Sequence, residues 1–185
     1  SLGLLPLNSN SFDALNITYF DTDLQMRLKD TYIVDFEGMK LSLGNVSLFI
    51  GVSNTNSGEK VSFRNGIMAD CNTAQIVINS GGLFITFDNM SIDYSYGDVI
   101  QLKASDRNNI TFTNCHIEGF IGYLVLSTAA TPSTGQERAK ITFHRTKIVG
   151  AARGDGVTYI APYASRRALI KSNSNQSLTV DFDQC

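Results

Sequence analysis

The sequence predicts an all-β fold, a right-handed parallel β-helix in which single-stranded coils stack into a solenoid with loop insertions. Three observations predict it: a strand phrase that recurs along the chain, a composition suited to short turns, and Asn residues at a fixed place after the phrase. The 185 residues are enough for one domain with a real core. The 15 Gly against 3 Pro, with only 17% charged residues, favour many turns over long amphipathic helices.

The recurring phrase is a β-branched residue followed two positions later by Phe. Its copies are Ile85–Asn89, Ile110–Asn114 and Ile141–Arg145, with weaker ones at Val34–Phe36, Val61–Asn65 and Val180–Phe182. These residues alternate with Ser, Thr or Asp, which is typical of a strand with one buried face. We therefore expect two inward stacks, one of the β-branched residues (Val34, Val61, Ile85, Ile110, Ile141 and Val180) and one of rings that includes Phe63, Phe87, Phe112 and Phe143.

The register continues beyond the phrase. Five positions after the Phe an apolar residue recurs, as Leu41, Met68, Ile92, Ile117 and Ile148, and further strands follow at Ala74–Ile78, Asp98–Leu102 and Gly122–Leu126. The steps between successive Phe residues are 27, 24, 25, 31 and 39. Coils this short have no room for crossover helices, so each strand must pair in parallel with the same strand of the next coil. The two longer steps predict insertions at 127–139 and 150–176.

Asn65, Asn89 and Asn114 each lie two positions after the Phe, which predicts a ladder of side-chain amides at one turn. The Asn ladder, the Phe stack and the β-branched stack together resemble the right-handed β-helices of the pectate-lyase-like superfamily over about residues 30–185. Within it, the uneven coils, the richness in Ser, Thr and Asn and the stretch Tyr32–Leu41 are most similar to bacteriophage tailspikes and related virion appendages. The paired Asp and the Gly-His-Gly of the polygalacturonase-like members do not occur in this sequence.

Domain organisation follows from where the repeats begin. Residues 1–30 precede them and are predicted to be an N-terminal cap or connecting segment, with Asp23–Lys29 covering the open end of the solenoid. Residues 31–185 are predicted to be the β-helix. The chain ends inside a new strand, Leu178–Phe182, so we expect it to be a fragment of a longer protein. Ser1–Leu7 lacks the features of a secretory signal, and no apolar stretch approaches the roughly 20 residues of a membrane span.

Charge and cysteine content exclude several classes of function. The net charge of -2 comes from interspersed residues, so the sequence predicts no nucleic-acid partner. The shortness of the apolar stretches predicts no membrane partner. Cys71, Cys115 and Cys185 lack the spacing of a zinc site or a redox motif, which predicts buried or idle thiols. No cofactor and no metal are predicted, because only Asp70, Asp93 and Glu118 approach the carboxylate set of a calcium site.

Asp93 and Glu118 are the candidate catalytic residues. Each directly follows an inward Ile, at the same offset from the Phe in consecutive coils, so both are expected to point outward one rung apart. Two carboxyl groups about 5 Å apart match the separation in a retaining glycosidase. The competing interpretation is that both are ordinary solvated acids on the outside of a strand.

The candidate substrate-binding residues are Tyr94, Tyr96, His116 and Phe120 around the carboxyl groups, and Arg138 and Arg153 from the insertions. Aromatic rings offer flat faces for sugars, and His can carry a proton near neutral pH. Arg138 and Arg153, with Asp155, Arg166 and Arg167, form a second cluster in which Arg forks would bind an acidic polysaccharide. Surface packing and ion pairing between loops are the alternative roles for all of these residues.

The resemblance to tailspikes implies a homotrimeric virion or extracellular protein that attaches to host cells. It would bind a bacterial surface polysaccharide, and as a depolymerase it would act as a glycoside hydrolase or a lyase. The alternative is a non-catalytic structural or adhesive stalk of a virion or cell-surface assembly. Phe49, Tyr123 and Val149 are outward apolar residues that would serve as subunit contacts or as loop anchors.

Overall fold

The computed structural model describes residues 16–19, 23–28, 31–52, 58–104, 107–129, 137–150, 169–172 and 178–185. They form a parallel β-solenoid of about four turns, and these residues contain no helix, so none that crosses a membrane. In chain order the strands are β1 (Asn16–Tyr19), β2 (Asp23–Leu28), β3 (Thr31–Asp35), β4 (Lys40–Gly44), β5 (Ser47–Val52), β6 (Lys60–Cys71), β7 (Ile76–Ile78), β8 (Phe84–Ser95), β9 (Ile100–Leu102), β10 (Asn109–Thr113), β11 (His116–Phe120), β12 (Val125–Ser127), β13 (Ala139–His144), β14 (Lys147–Gly150), β15 (Ile170–Ser172) and β16 (Leu178–Asp183).

Each coil contributes a strand to three parallel faces. The first face consists of β3, the first halves of β6 and β8, β10, β13 and β16. The second face consists of β4, the second halves of β6 and β8, β11 and β14. The third face consists of β2, β5, β7, β9, β12 and β15, and β1 pairs antiparallel with β2 at its end. The predicted pairing of each strand with its counterpart in the next coil is thus confirmed.

The predicted inward stacks form the core of the first face. Val61, Ile85, Ile110, Ile141 and Val180 lie in register. The Phe rings stack nearly parallel, with centroids 5.1 Å apart for Phe63–Phe87, 4.6 Å for Phe87–Phe112, 5.0 Å for Phe112–Phe143 and 5.2 Å for Phe143–Phe182. The first four rings are buried. Stacking therefore buries rings that a single coil would leave in water.

The earliest repeat was predicted in the wrong register. Tyr32, not Val34, pairs with Val61, and Val34 pairs with Phe63. Leu41 still pairs with Met68, as predicted, because the turn before it is two residues longer than in the later coils. Phe36 is buried and fills the space above Gly66, where an added Cβ would lie 2.1 Å from the Phe36 Cβ.

The Asn ladder lies at the corner between the first and second faces. Asn65, Asn89 and Asn114 have φ of 57, 52 and 52°, the left-handed region that Asn tolerates better than most residues. The Asn89 side-chain amide donates to the Asn65 Oδ1 at 3.0 Å, and the Asn65 amide donates to Asp35 at 3.3 Å. The predicted alignment is confirmed, and the left-handed backbone conformation of the corner explains why Asn occupies it in three coils.

The first insertion lies where the spacing predicts it, whereas most of the second, at 151–168 and 173–177, lies outside the described residues. The link between β12 and β13 covers 128–138, whereas the equivalent link between β9 and β10 covers only 103–108. Within 150–176, β15 continues the third face at Ile170–Ser172.

Of the three thiols, Cys71 and Cys115 are buried and Cys185 is exposed, and burial raises the pKa of Cys115 to about 11.

Candidate functional site

The candidate carboxylates lie side by side on the second face. Glu118 in β11 is the direct register partner of Asp93 in β8, so the two backbones are about 4.8 Å apart. Both side chains are half-buried and lie on the outer side, because each follows a buried inward residue, Ile92 or Ile117. This is the geometry that the repeat predicts.

Each carboxylate is held by the residue two positions before it. Ser91 Oγ donates to Asp93 Oδ1 at 2.7 Å, and His116 Nε2 lies 3.0 Å from Glu118 Oε2. Ser91 and His116 are themselves register partners. Four polar side chains from two adjacent coils therefore form a square array, in which one oxygen of each carboxylate has a hydrogen-bonding partner.

Asp93 has the more perturbed environment. Burial raises the pKa of its carboxyl above the ordinary value, and repulsion from the Glu118 carboxylate raises it further. The hydrogen bond from Ser91 and the nearby charges of His116 and Lys40 lower the pKa and so oppose these effects. The predicted like-charge repulsion is present, but desolvation is the larger cause.

A groove of about 360 Å³ runs along the corner beside this array. Its lining includes the amides of Asn65, Asn89 and Asn114, and also Ser91 and His116. The groove and the carboxylates therefore share two side chains. Amides and imidazole both donate and accept hydrogen bonds, so this surface can bind the hydroxyl groups of a sugar.

The aromatic residues predicted around the carboxylates divide into three cases. Tyr94 is 45% exposed next to Asp93, and its ring lies close to Gly119. Tyr96 is half-buried in the turn that follows the second face. The prediction that Phe120 points outward is wrong: it is 3% exposed in the core. Gly119, at φ 70°, breaks the alternation of the strand and turns Phe120 inward.

Of the predicted arginines, Arg138 does not join this site. Arg138 is exposed just before β13, at the corner between the third and first faces, whereas Asp93 and Glu118 are on the second face. Arg153, Asp155, Arg166 and Arg167 lie outside the described residues. Sequence reasoning missed the groove of about 690 Å³ in which Arg138 sits with Phe84 and Arg107.

Two of the predicted outward apolar residues have cationic neighbours within the chain. Lys103 Nζ lies 5.1 Å from the centroid of the Phe49 ring, and Lys171 Nζ lies 5.8 Å from that of Tyr123. Val149 is 40% exposed at the register position next to Glu118.

In the described part of the chain, no three His, Cys, Asp or Glu side chains form a group suited to a metal ion.

No protein-family model matches the chain, and no solved structure matches it at a significant level. The likeness to tailspikes therefore rests on the repeat pattern and the solenoid alone.

Proposed function

We propose that this β-solenoid binds a bacterial surface polysaccharide along its second face and cleaves it as a glycoside hydrolase. The observation that carries the proposal is the cross-strand pair Asp93 and Glu118, two adjacent carboxyl groups in different environments. An enzyme that breaks a glycosidic bond with two carboxyl groups needs one that holds a proton and one that is ionised. Burial and the neighbouring Glu118 favour the protonated form of Asp93, which assigns it the acid role.

In the first step, Asp93 donates its proton to the glycosidic oxygen as the bond from that oxygen to the anomeric carbon breaks. The free oxygen of Glu118 attacks the anomeric carbon and forms a covalent glycosyl ester, while His116 holds the other oxygen, Oε2. In the second step, Asp93 takes a proton from water, which attacks the anomeric carbon and releases Glu118. The one-rung spacing suits this retaining mechanism, since an inverting enzyme needs roughly 6.5–9.5 Å between its carboxyl groups.

Substrate binding is assigned to the surface around the pair. The exposed ring of Tyr94 offers a flat apolar face to a sugar next to Asp93. The amides of Asn65, Asn89 and Asn114 line the adjoining groove and repeat from coil to coil along the solenoid axis. A polymer aligned with that axis would meet the same amide at successive rungs, which favours a repeating ligand over a small molecule.

Cleavage is tested by incubating the protein with a panel of bacterial capsules and O-antigens and following polymer size by gel filtration. Asp93→Asn and Glu118→Gln should each abolish cleavage while polymer binding and the thermal unfolding midpoint stay nearly unchanged. Asp70→Asn is the matched control, because Asp70 is another second-face acid and is paired with Lys40 at 2.6 Å. Retained cleavage in both pair variants, or equal loss in the control, would overturn the assignment.

The stereochemistry of the product gives a second test. Proton NMR of the first product released should show the same anomeric configuration as the polymer, because two successive displacements restore it. An inverted product would contradict Glu118 as the nucleophile, and an unsaturated sugar would identify a lyase.

The assembly belongs to the same proposal. By the tailspike resemblance, the protein would be a homotrimer that attaches a virion to its host. Light scattering on the purified protein tests the trimer, and a monomeric mass at micromolar concentration would contradict it.

A non-catalytic stalk is the second candidate function, and one observation favours it. The middle outward row of the first face carries only small hydroxyl side chains over four coils: Ser62, Thr86, Thr111 and Thr142. An even polar row over a continuous ring stack suits a stiff, inert rod. Failure to bind or cleave any polymer of the panel would favour this function.

A further inference from the structure

The larger groove, about 690 Å³, lies at the corner between the third and first faces. The groove forms because two neighbouring coils have glycine, which has no side chain, at this corner. Gly58, Gly82, Arg107 and Arg138 each stand five positions before a stacked Phe, so they occupy the same corner in four successive coils. Gly58 and Gly82 leave the corner open, and the next two coils project guanidinium groups.

The corner that carries Arg107 is held rigidly. Its neighbour Asn108 is 1% exposed, donates to the Ser80 and Ala104 carbonyls at 3.0 and 2.9 Å, and accepts from the Leu83 N–H at 3.0 Å. The Arg107 N–H donates to the Glu137 carbonyl at 3.0 Å. A guanidinium mounted on a fixed backbone loses less entropy when it binds a ligand.

One wall of the groove combines an exposed ring with polar side chains. Lys60, Phe84, Asn109 and Lys140 are register partners in one outward row of the first face. Phe84 is 43% exposed, and Lys60 Nζ lies 5.7 Å from its centroid. A large exposed ring on a strand has no role in the core, and here it faces a groove in which a flat apolar group can stack on it.

The groove is cationic in a chain that is acidic as a whole. Three cations line it (Arg107, Arg138 and Lys140) against one acid, Glu137, which gives the lining a charge of +2 beside a net charge of -2 for the chain. Lys140 pairs with Asp181 at 2.9 Å, both half-exposed. Within the described residues, neither Arg107 nor Arg138 forms an ion pair.

We propose that this groove binds an anionic polysaccharide, a chain of uronic acids, with the carboxylates on Arg107 and Arg138 and a sugar face on Phe84. Two arginines on adjacent coils would take carboxylates from successive parts of one polymer, each through a two-pronged hydrogen bond. Asn109 would bind a hydroxyl between them. The site stands apart from cleavage at Asp93 and Glu118, which lie on another face.

The experiment uses titration calorimetry with polygalacturonate, alginate and hyaluronate, and with polygalacturonate whose carboxyl groups are methyl-esterified. At least one free acid should bind, and esterified polygalacturonate should bind at least about tenfold more weakly than polygalacturonate or not at all. Arg107→Gln and Arg138→Gln should each weaken binding at least about tenfold, because each removes a two-pronged, charge-assisted hydrogen bond to a carboxylate. Phe84→Ser should weaken it as well.

Arg145→Gln is the matched control, because Arg145 is an exposed arginine at the other end of the first face. Its left-handed backbone, φ 46°, accepts Gln, as Gln184 at φ 55° shows. Gly82→Asn adds a side chain to the groove at a φ of 76° that Asn tolerates, and it should block binding without removing any charge.

Four results would overturn the proposal: no binding to any of the three polyuronates, equal affinity for the ester, equal loss in Arg145→Gln, or full binding by Gly82→Asn. Equally tight binding of dextran sulfate and polyphosphate that survives Phe84→Ser would also overturn it, because the groove would then be a general anionic patch. Unchanged thermal unfolding midpoints show that each variant is folded.

Discussion

The inside of the first face and the outside of the second face share one backbone pattern but differ in how their residues repeat. Inside, Phe occupies the same position in successive coils from Phe63 to Phe182. Outside, the row that contains the candidate carboxylates changes at each coil: Ser42, Ala69, Asp93, Glu118 and Val149. The register is continuous in both regions.

This difference distinguishes buried positions, where the fold requires a particular residue, from outward positions, where it does not. A buried ring needs a flat partner above and below it, so packing selects the same residue in every coil. An outward position makes no such demand, and any polar residue keeps the coil soluble. The carboxylates at two adjacent coils are therefore not explained by folding, which is why they are candidates for function.

The largest expected effect tests the inner region. Phe112→Ala removes a fully buried ring from the middle of the stack and leaves a cavity between Phe87 and Phe143, so it should lower the free energy of unfolding by about 3 to 5 kcal/mol. Urea denaturation followed by circular dichroism measures it. Phe182→Ala is the control, because Phe182 is 46% exposed and should cost only about 1 kcal/mol. Equal losses would mean that the stack does not carry the core.

The second prediction concerns the bend that turns Phe120 inward. Gly119→Ala should lower the free energy of unfolding by about 2 to 3 kcal/mol, because its φ is 70° and the added Cβ would lie 2.8 Å from Tyr94 Cδ1. Gly38→Ala is matched to it, with φ 83° but open space around the Cβ, and should cost only about 1 kcal/mol. If Gly38→Ala is the more harmful, the contact with Tyr94 does not constrain the bend.

The stacks, the strand pairing and the Asp93–Glu118 register could be predicted from the sequence because the same alternation recurs in each coil. The inward turn of Phe120 could not, because period-2 alternation assumes an unbroken strand and Gly119 breaks it. The register predicted for Val34 and Phe36 was wrong for a related reason. Two extra residues in the turn before Leu41 shift the pairing of every position that precedes that turn in the coil.

The larger groove had a signal that strand patterns do not reveal. Gly58, Gly82, Arg107 and Arg138 repeat with the same spacing as the Phe residues, but they lie at a corner, where neither an apolar stack nor a period of 2 marks them. The shape of a corner depends on the backbone angle φ as much as on the side chains, and φ cannot be read from the residue types alone. A search for residues at a constant offset from the Phe, whatever their type, would have found this row.

The third prediction tests the Asn corner, where backbone conformation and side-chain pairing act together. Asn89→Ala loses the hydrogen bond to Asn65 and puts a less suited residue at φ 52°, so it should cost about 1 to 2 kcal/mol in urea denaturation. Asn89→Gly loses only the hydrogen bond and should cost less than about 1 kcal/mol. An equal cost for both variants would show that the amide ladder, and not the left-handed backbone, selects Asn.

The smallest expected effect compares two carboxylates through the pH dependence of stability. The pKa of Asp35 is lowered, first by the Glu37 N–H and also by Arg64 and Asn65, so its contribution is present above the ordinary pKa of 3.8 and is lost as the pH falls below it. The pKa of Asp93 is raised, so its protonated form favours the folded state at low pH and that advantage is lost as the pH rises through the folded pKa.

The difference in unfolding free energy between wild type and Asp35→Asn should therefore increase between about pH 3 and pH 6. The difference between wild type and Asp93→Asn should decrease over the same range. Urea denaturation at several pH values measures both differences. A flat difference for Asp93, or slopes of the same sign, would mean that the pKa of Asp93 is not raised, and the assignment of the acid role in cleavage would lose its support.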